Sequence, residues 1–555
     1  MGKKGQILKH VMFLLFFVAW FAYFYVLWRD MVVFDGADLR VGGINVWGDW
    51  AMHFTQGSSF AYRSLFLTQH PLLLGAPYAY PFAVNWISGV LVRMGMEFFS
   101  AFVIPSFAYS LFFVVVLTFL FWKIFHSRAV AMLATTIFLL NGGLGWWWYV
   151  QDLIASPNWI TALRFAKEYT HLTSVGIQWI SVITSMIVPQ RSFVFGYSYA
   201  LLILLLVFRH IERARHAWSM KWFIGFGVVC GLMPVIHMHS FIMLAIIFGW
   251  WMLWSLARKE DGGRQHALAC WIVMGCITLL LASPLFITFF SQTVGKVTRG
   301  SFIQWYPGWF VNKNAEHAGM DWSWWWFLNW GITLPVGIVG WSIATRKLQV
   351  ITLPFFMMFV LLNLFLFQPY VWDNTKVLVW ASLGVSSMAA YTVWKLWQKH
   401  IVLKICAGLL FLIMILAGTL DAYGALDKRK HNWSMYEAQA LIAVDAFRHL
   451  SKSDDVILAS DSHNNPFINL SGRQVVMGFR GWLWTYGFDY GPIEQDVLTI
   501  FCGEMHAQEL LKKYNIKYVI FDDKVRNEYK GNEEYFSRRY HNVLESGQYV
   551  VYEIK

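Results

Sequence analysis

Hydrophobic positions in this chain do not alternate with polar ones; they run on in long blocks. Apolar stretches near 11–28, 102–122, 129–149, 195–208, 222–236, 241–256, 267–290, 327–344, 350–368, 377–394 and 405–420 are separated by polar segments. A hydrocarbon layer of ~30 Å is crossed by roughly 18 or more apolar residues in helical form, so the pattern predicts about eleven transmembrane helices. The stretches 195–208 and 222–236 are short, which leaves their ends least defined. Past residue 419 the pattern turns to that of a water-soluble domain. Strand-like runs fall at 456–460, 474–478, 517–521 and 549–554, with a helical stretch at about 494–513. The expected fold class is a polytopic α-helical membrane protein with a small C-terminal α/β domain. Its expected parts are a transmembrane domain, 1–418, with a large first loop at 29–101, and an α/β domain, 419–555.

Composition agrees with this class. The chain has 555 residues, of which 57% are hydrophobic and 14% charged, against roughly 25% charged in an ordinary soluble domain. A formal charge of +12 would point to nucleic acid in a soluble protein, but here its placement gives a different meaning. With the N-terminus inside, the inner segments carry 17 Lys/Arg in 55 residues and the outer ones up to residue 376 carry 11 in 166. Lys and Arg concentrate on the cytoplasmic side of membrane proteins. The asymmetry therefore predicts a cytoplasmic N-terminus, an extracytoplasmic C-terminal domain and residence in the plasma (inner) membrane, with no nucleic-acid partner. The N-terminal MGKKGQILKH and the apolar run after it lack a small-residue cleavage site, so they read as a first span that is retained. Five cysteines without paired spacing form neither a disulfide framework nor a zinc motif.

Threading the spans brings costly polar residues repeatedly to the outer side. They are Asp35, Asp38, Asp49 and His53 in the first loop, Gln190 and Arg191 in VPQRS, His237 and His239 in IHMHS, and Asp373, Asn374 and Lys376 in YVWDNTK. Ionisable residues at such positions are functional candidates by default. A carboxylate beside cations at a lipid–water boundary is what transfer from an anionic lipid carrier to a hydroxyl needs: the cations hold the departing phosphate and the carboxylate takes the proton. Each residue also has a plainer reading. Asp49 follows Gly48 as a helix cap would, Arg191 and Lys376 sit where such side chains snorkel to headgroups, and Asp373 can simply pair with Lys376. The tryptophan-rich GWWWY and WSWWWFLNW read first as an interfacial aromatic belt. Asn432 and Asn469 match glycosylation sequons.

The order of parts, together with GDWAMHF (48–54), PYAYPF (77–82), VPQRSFVFG (188–196), WDNTK (372–376) and HNNPFINLSGRQVVMGFRGWLWTYGFDY (463–490), resembles the GT-C superfamily of membrane glycosyltransferases, and most its little-studied bacterial members. The resemblance implies a polyprenyl-phosphate-linked sugar donor, inversion at the transferred carbon, and a general base in the first outer loop. That role falls on Asp49, with Asp35 sharing or holding it and His53 positioning the base or the acceptor. Arg191, Lys376 and Arg480 are the expected donor-phosphate ligands, and Gln190, His237, His239, Asp373 and Asn374 line the site. No adjacent Asp-Glu pair of the protein O-mannosyltransferase kind stands in the loop, so the acceptor stays open among lipid, glycan and protein. No cofactor is expected; a divalent ion held by His237, His239 and Asp49 is the weaker alternative. The rival activities are a lipid-linked glycan polymerase or ligase and, outside enzymology, a transporter or flippase, which would carry charge at mid-span and internal repeats.

Overall fold

The computed structural model describes residues 3–158, 167–179, 181–213, 218–257, 263–293, 303–312, 317–367, 370–427 and 432–555. Parts of the expected inner turns 209–221 and 257–266, and of the outer stretch 291–326, lie outside the described residues. The protein forms two compact units. One takes Met1–Arg29, Ser106–Ser283 and Ser301–Lys430; the other takes Asp30–Pro105, Pro284–Gly300 and His431–Lys555.

The first unit is helical. Among the described residues the chain has eight single helices long and apolar enough to span a membrane: Gln6–Arg29, Ser100–Phe125, Arg191–Glu212, Met238–Ala257, Arg264–Thr288, Arg346–Leu364, Val371–Trp397 and Ile401–Gly424. Two further apolar runs are bent pairs, Arg128–Leu140 with Gly145–Ala155 at 65° and Trp322–Trp330 with Thr333–Ile343 at 92°. Met220–Ile236 is a shorter apolar helix. These eleven segments fall on the eleven apolar blocks of the sequence, while eight to ten qualify as full spans.

Val371–Trp397 is the centre of this unit and is almost entirely buried, whereas most side chains of Gln6–Arg29 are exposed, with Phe24, Leu27 and Trp28 packed inside. Small residues allow the close packing. At Gly340 an added Cβ would come within 2.1 Å of the Met388 carbonyl oxygen, so only glycine lets Thr333–Ile343 approach the central helix this closely. The tryptophans divide. Trp325, Trp326 and Trp330 are core residues, with Trp326 donating to Asn363 Oδ1 at 2.6 Å, whereas Trp147, Trp322 and Trp324 are exposed. Three of the tryptophans of WSWWWFLNW are therefore packing residues, because one face of that apolar helix turns inward, while none of those in GWWWY is buried.

The second unit joins the first loop to the C-terminal segment through strand pairing. Val32–Asp35 and Asp38–Val41 form a hairpin, and Asp38–Val41 pairs in turn with Trp433–Tyr436. A five-stranded sheet runs in the order Gln474–Val475, Val456–Leu458, Ile516–Phe521, Tyr549–Glu553 and His541–Ser546. The first three strands are parallel and the last two antiparallel. His541–Ser546 carries no strand signal in the sequence, since it is an edge strand with mostly exposed positions. The stretch expected as one helix at 494–513 is two, Gly491–Cys502 and Ala507–Lys513.

Helix Ile44–Tyr62 lies on this domain, held by Thr55 donating to Asn469 Oδ1 at 2.9 Å and by Arg63 bonded to Gln474. Asn469 is fully buried and its amide also donates to Tyr436, so this sequon is a packing residue and not an acceptor for glycans. Asn432 is exposed.

Candidate functional site

Helix Ile44–Tyr62 starts five residues ahead of Asp49, with Gly43 at its N-cap. Asp49 therefore stands in the second turn, where a carboxylate caps nothing; the cap reading is excluded because the backbone N–H groups there are already inside the helical ladder. Asp49 is half-buried, and its charge acts on Tyr486, whose hydroxyl pKa is pushed well above the usual phenol range by burial first, then by Tyr80, Tyr78 and Asp49. Residues 49, 52, 53 and 56 share one face by helical spacing. On that face the Tyr486 hydroxyl donates to Met52 Sδ. Buried His53 pairs through Nδ1 with Asn85 Oδ1 at 3.0 Å, and Asn85 Nδ2 donates to Gln56 Oε1 at 2.7 Å.

The other acids of the first loop have different work. Asp35 is exposed and ion-paired to Arg40 at 3.0 Å. Asp38 Oδ1 accepts the Ala438 backbone N–H at 2.8 Å, at the start of helix Ala438–Leu450. Neither lies on the helical face that carries Asp49.

Three of the five sequence motifs meet in this unit. Tyr80 of PYAYPF stands 4.6 Å, centroid to centroid, from Tyr486. Trp47, just before GDWAMHF, stacks on His463 at 5.1 Å and 15°, and His463 in turn contacts Phe479 and Trp482. These contacts hold the 479–488 segment, with its short helix Arg480–Thr485, against helix Ile44–Tyr62 and so place Tyr486 beside Asp49. Arg480 of the same segment is engaged by Asp461 and Glu494. Although burial opposes ionisation of Asp461, its bonds to Lys524 and Tyr529 and the nearby Arg480 keep its carboxyl below the usual range, so this is a tight structural ion network.

The first unit holds the other two cationic candidates, Arg191 and Lys376. A six-residue π-helix, Val182–Ile187, precedes Gln190 and leads into helix Arg191–Arg213; π-turns of this kind recur at functional sites. Arg191 is fully buried, its Nε donating to Ser106 Oγ at 3.0 Å, with Tyr109 close enough to interact electrostatically. Gly196, one turn further on, packs on His237: a Cβ there would come 2.1 Å from His237 Cβ. His237 accepts from Ser240 Oγ at 2.7 Å through Nδ1 and has His239 and Lys376 as its charged neighbours. Lys376 pairs with Asp373 at 2.9 Å. Asn374 is buried and structural, accepting from Phe367 N and donating to the carbonyls of Leu362 and Phe365. His237, His239, Lys376 and Asp373 are thus neighbours, and Arg191 begins the helix whose Gly196 packs on His237. Among the described residues no three of His, Cys, Asp and Glu stand close enough to hold a metal ion.

Sequence reasoning missed Ser106, Asn85, Tyr80 and Tyr486. Ser106 and Asn85 carried a faint signal, as polar residues inside largely apolar helices.

No protein-family model matches the chain, and no curated protein is recognisably similar to it in sequence. Solved structures do match. The apo oligosaccharyltransferase of Archaeoglobus fulgidus superposes with a TM-score of 0.57 at 12% identity, covering 93% of this chain and 70% of that one. The same enzyme in complex with Zn and sulfate gives 0.51 at 12% identity, over 94% and 69%. ArnT from Cupriavidus metallidurans bound to undecaprenyl phosphate gives 0.48 at 11% identity, over 100% and 98%. At such identities the two superpositions on the oligosaccharyltransferase speak of the fold alone.

Proposed function

We propose, from the GT-C fold that this chain shares with the archaeal oligosaccharyltransferase, that it is an integral membrane glycosyltransferase. It takes a sugar from a polyprenyl-phosphate donor and passes it to a hydroxyl acceptor on the non-cytoplasmic face. The observation that carries this reading is Asp49: a half-buried carboxylate inside a helix, excluded as a cap, on a face with polar and aromatic neighbours.

The roles divide between side chains. Asp49 takes the proton of the attacking hydroxyl. The acceptor oxygen bonds to the anomeric carbon, the bond from that carbon to the phosphate oxygen breaks, and the phosphate leaves with the electron pair and the sugar inverted. Arg191 and Lys376 hold the phosphate, since a guanidinium offers a planar fork and an ammonium a point charge to its oxygens. His237 and His239 line that phosphate site. Arg480, already committed to two carboxylates, contributes by anchoring the start of the short helix Arg480–Thr485.

The test is direct. Purified full chain in lipid is given radiolabelled polyprenyl-phosphate monosaccharides and, separately, lipid-linked oligosaccharides. Transfer from the monosaccharide donor is expected. Transfer from the oligosaccharide alone establishes the polymerase or ligase alternative, and consumption of neither removes the glycosyltransferase reading.

A further inference from the structure

The surroundings of Asp49 also define what kind of molecule brings the hydroxyl. Tyr80 and Tyr486 are both half-buried, with ring centroids 4.6 Å apart and planes inclined at 49°. Behind them, buried His70 contacts Tyr486 at 5.4 Å and Tyr78 at 5.4 Å. His70 Nδ1 accepts the Leu72 backbone N–H, so its proton resides on Nε2. That Nε2, the Tyr78 hydroxyl and Gln56 Nε2 are buried without hydrogen-bond partners. Orphaned buried polar atoms are rare in folded proteins and call for an explanation. Here three of them accompany aromatic faces and a carboxylate.

We infer that the face of helix Ile44–Tyr62 bearing Asp49, with Tyr80 and Tyr486 beside it, is a platform for a carbohydrate acceptor. The inference rests on the glycosyltransferase reading for the reaction itself. A pyranose ring has an apolar C–H face, which suits the ring of a tyrosine, and a rim of hydroxyls, which suits amide, imidazole and phenol partners directly or through water. One hydroxyl of that rim is the one Asp49 deprotonates: its proton passes to the carboxylate, its oxygen bonds to the donor's anomeric carbon, and the donor phosphate departs. The named side chains fit the competing acceptors less well. An anionic headgroup needs cations, and Asp49 is the charged group among them. An extended peptide needs unpaired main-chain groups along its length, and this face belongs to a helix.

The test uses methyl β-D-glucopyranoside and methyl α-D-mannopyranoside as probes for the full chain in lipid nanodiscs, followed by saturation-transfer NMR. Saturation of ring C–H protons is expected for at least one glycoside. Affinity should weaken about three- to tenfold in Tyr80→Ala and in Tyr486→Ala and persist in Tyr486→Phe, which keeps the ring. Tyr80→Ala keeps the test decisive should Tyr486→Ala fail to fold. No saturation with either probe, or saturation untouched by both alanine variants, overturns the platform. A second arm offers labelled lipid donor with each glycoside, a serine-containing peptide or a long-chain alcohol. Transfer to the peptide or the alcohol alone overturns the carbohydrate acceptor and leaves the glycosyltransferase standing. Donor consumption with none of them removes the glycosyltransferase, and the NMR result then decides the platform by itself.

Discussion

Asn85 Oδ1 lies 3.0 Å from His53 Nδ1, and because the other end of the Asn85 amide donates to Gln56, the oxygen must accept and the imidazole Nδ1 must carry a proton. A neutral His53 then offers Nε2 as an acceptor. Asn85→Leu preserves volume but strips both bonds, leaving a buried imidazole N–H unpaired. A loss of about 1–3 kcal/mol is expected, read as a lower thermal midpoint of the purified chain in lipid. An unchanged midpoint would mean that these bonds contribute nothing net.

The base assignment predicts that Asp49→Asn, which keeps size and polarity, lowers turnover by ~10²–10⁴-fold while donor binding survives. Asp35→Asn should have little effect, since this carboxylate is exposed and paired with Arg40. Asp38→Ala should cost about 0.5–2 kcal/mol of stability, because it bonds the first N–H of helix Ala438–Leu450; Asp38→Asn, itself a good capping residue, should be nearly silent. Steady-state rates with a defined lipid donor check the series. Full turnover in Asp49→Asn would require another base.

Arg191→Gln and Lys376→Gln remove charge from the proposed phosphate site. A hydrogen bond to a charged group is worth roughly 1.5–3 kcal/mol, so the donor concentration at half-saturation should rise about ten- to a hundredfold. Superimposable saturation curves would return both residues to structural roles, with Arg191 serving Ser106 and Lys376 serving Asp373.

Acid should weaken the second unit through His70. Burial lowers its pKa from 6.5 to about 3, so between those values the unfolded chain binds a proton that the folded one does not. Stability is then complete above pH 6.5 and falls by about 1.4 kcal/mol per pH unit below it. Melting of the wild type from pH 7 to 4, compared with His70→Phe, measures this; the variant's slope should be shallower. Equal slopes would show that other groups govern acid sensitivity.

The orientation read from the Lys/Arg distribution predicts that a cysteine at Ser462, in a background lacking the five native cysteines, reacts with a membrane-impermeant reagent added outside intact cells. Labelling only from the cytoplasmic side would invert the topology.

The sequence by itself determined the membrane class and the order of apolar segments, because both depend on local runs of hydrophobic residues that lipid selects directly. It also singled out Asp49, Arg191 and Lys376 as candidates, since charge near a span is costly wherever the chain goes. Only tertiary structure decided which of these residues have structural duties. Asp38 meets Ala438 400 residues away, and Asn469 disappears into the core against Thr55. Such pairings depend on strand register and helix docking, which short-range patterns do not encode. The start of helix Ile44–Tyr62 was equally hidden, because Gly48-Asp49 imitates a cap and the true cap, Gly43, has no side chain to announce it. The aromatic surroundings of Asp49 came from PYAYPF and GWLWTYG, motifs some 400 residues apart that become neighbours only when the C-terminal sheet folds against the first loop.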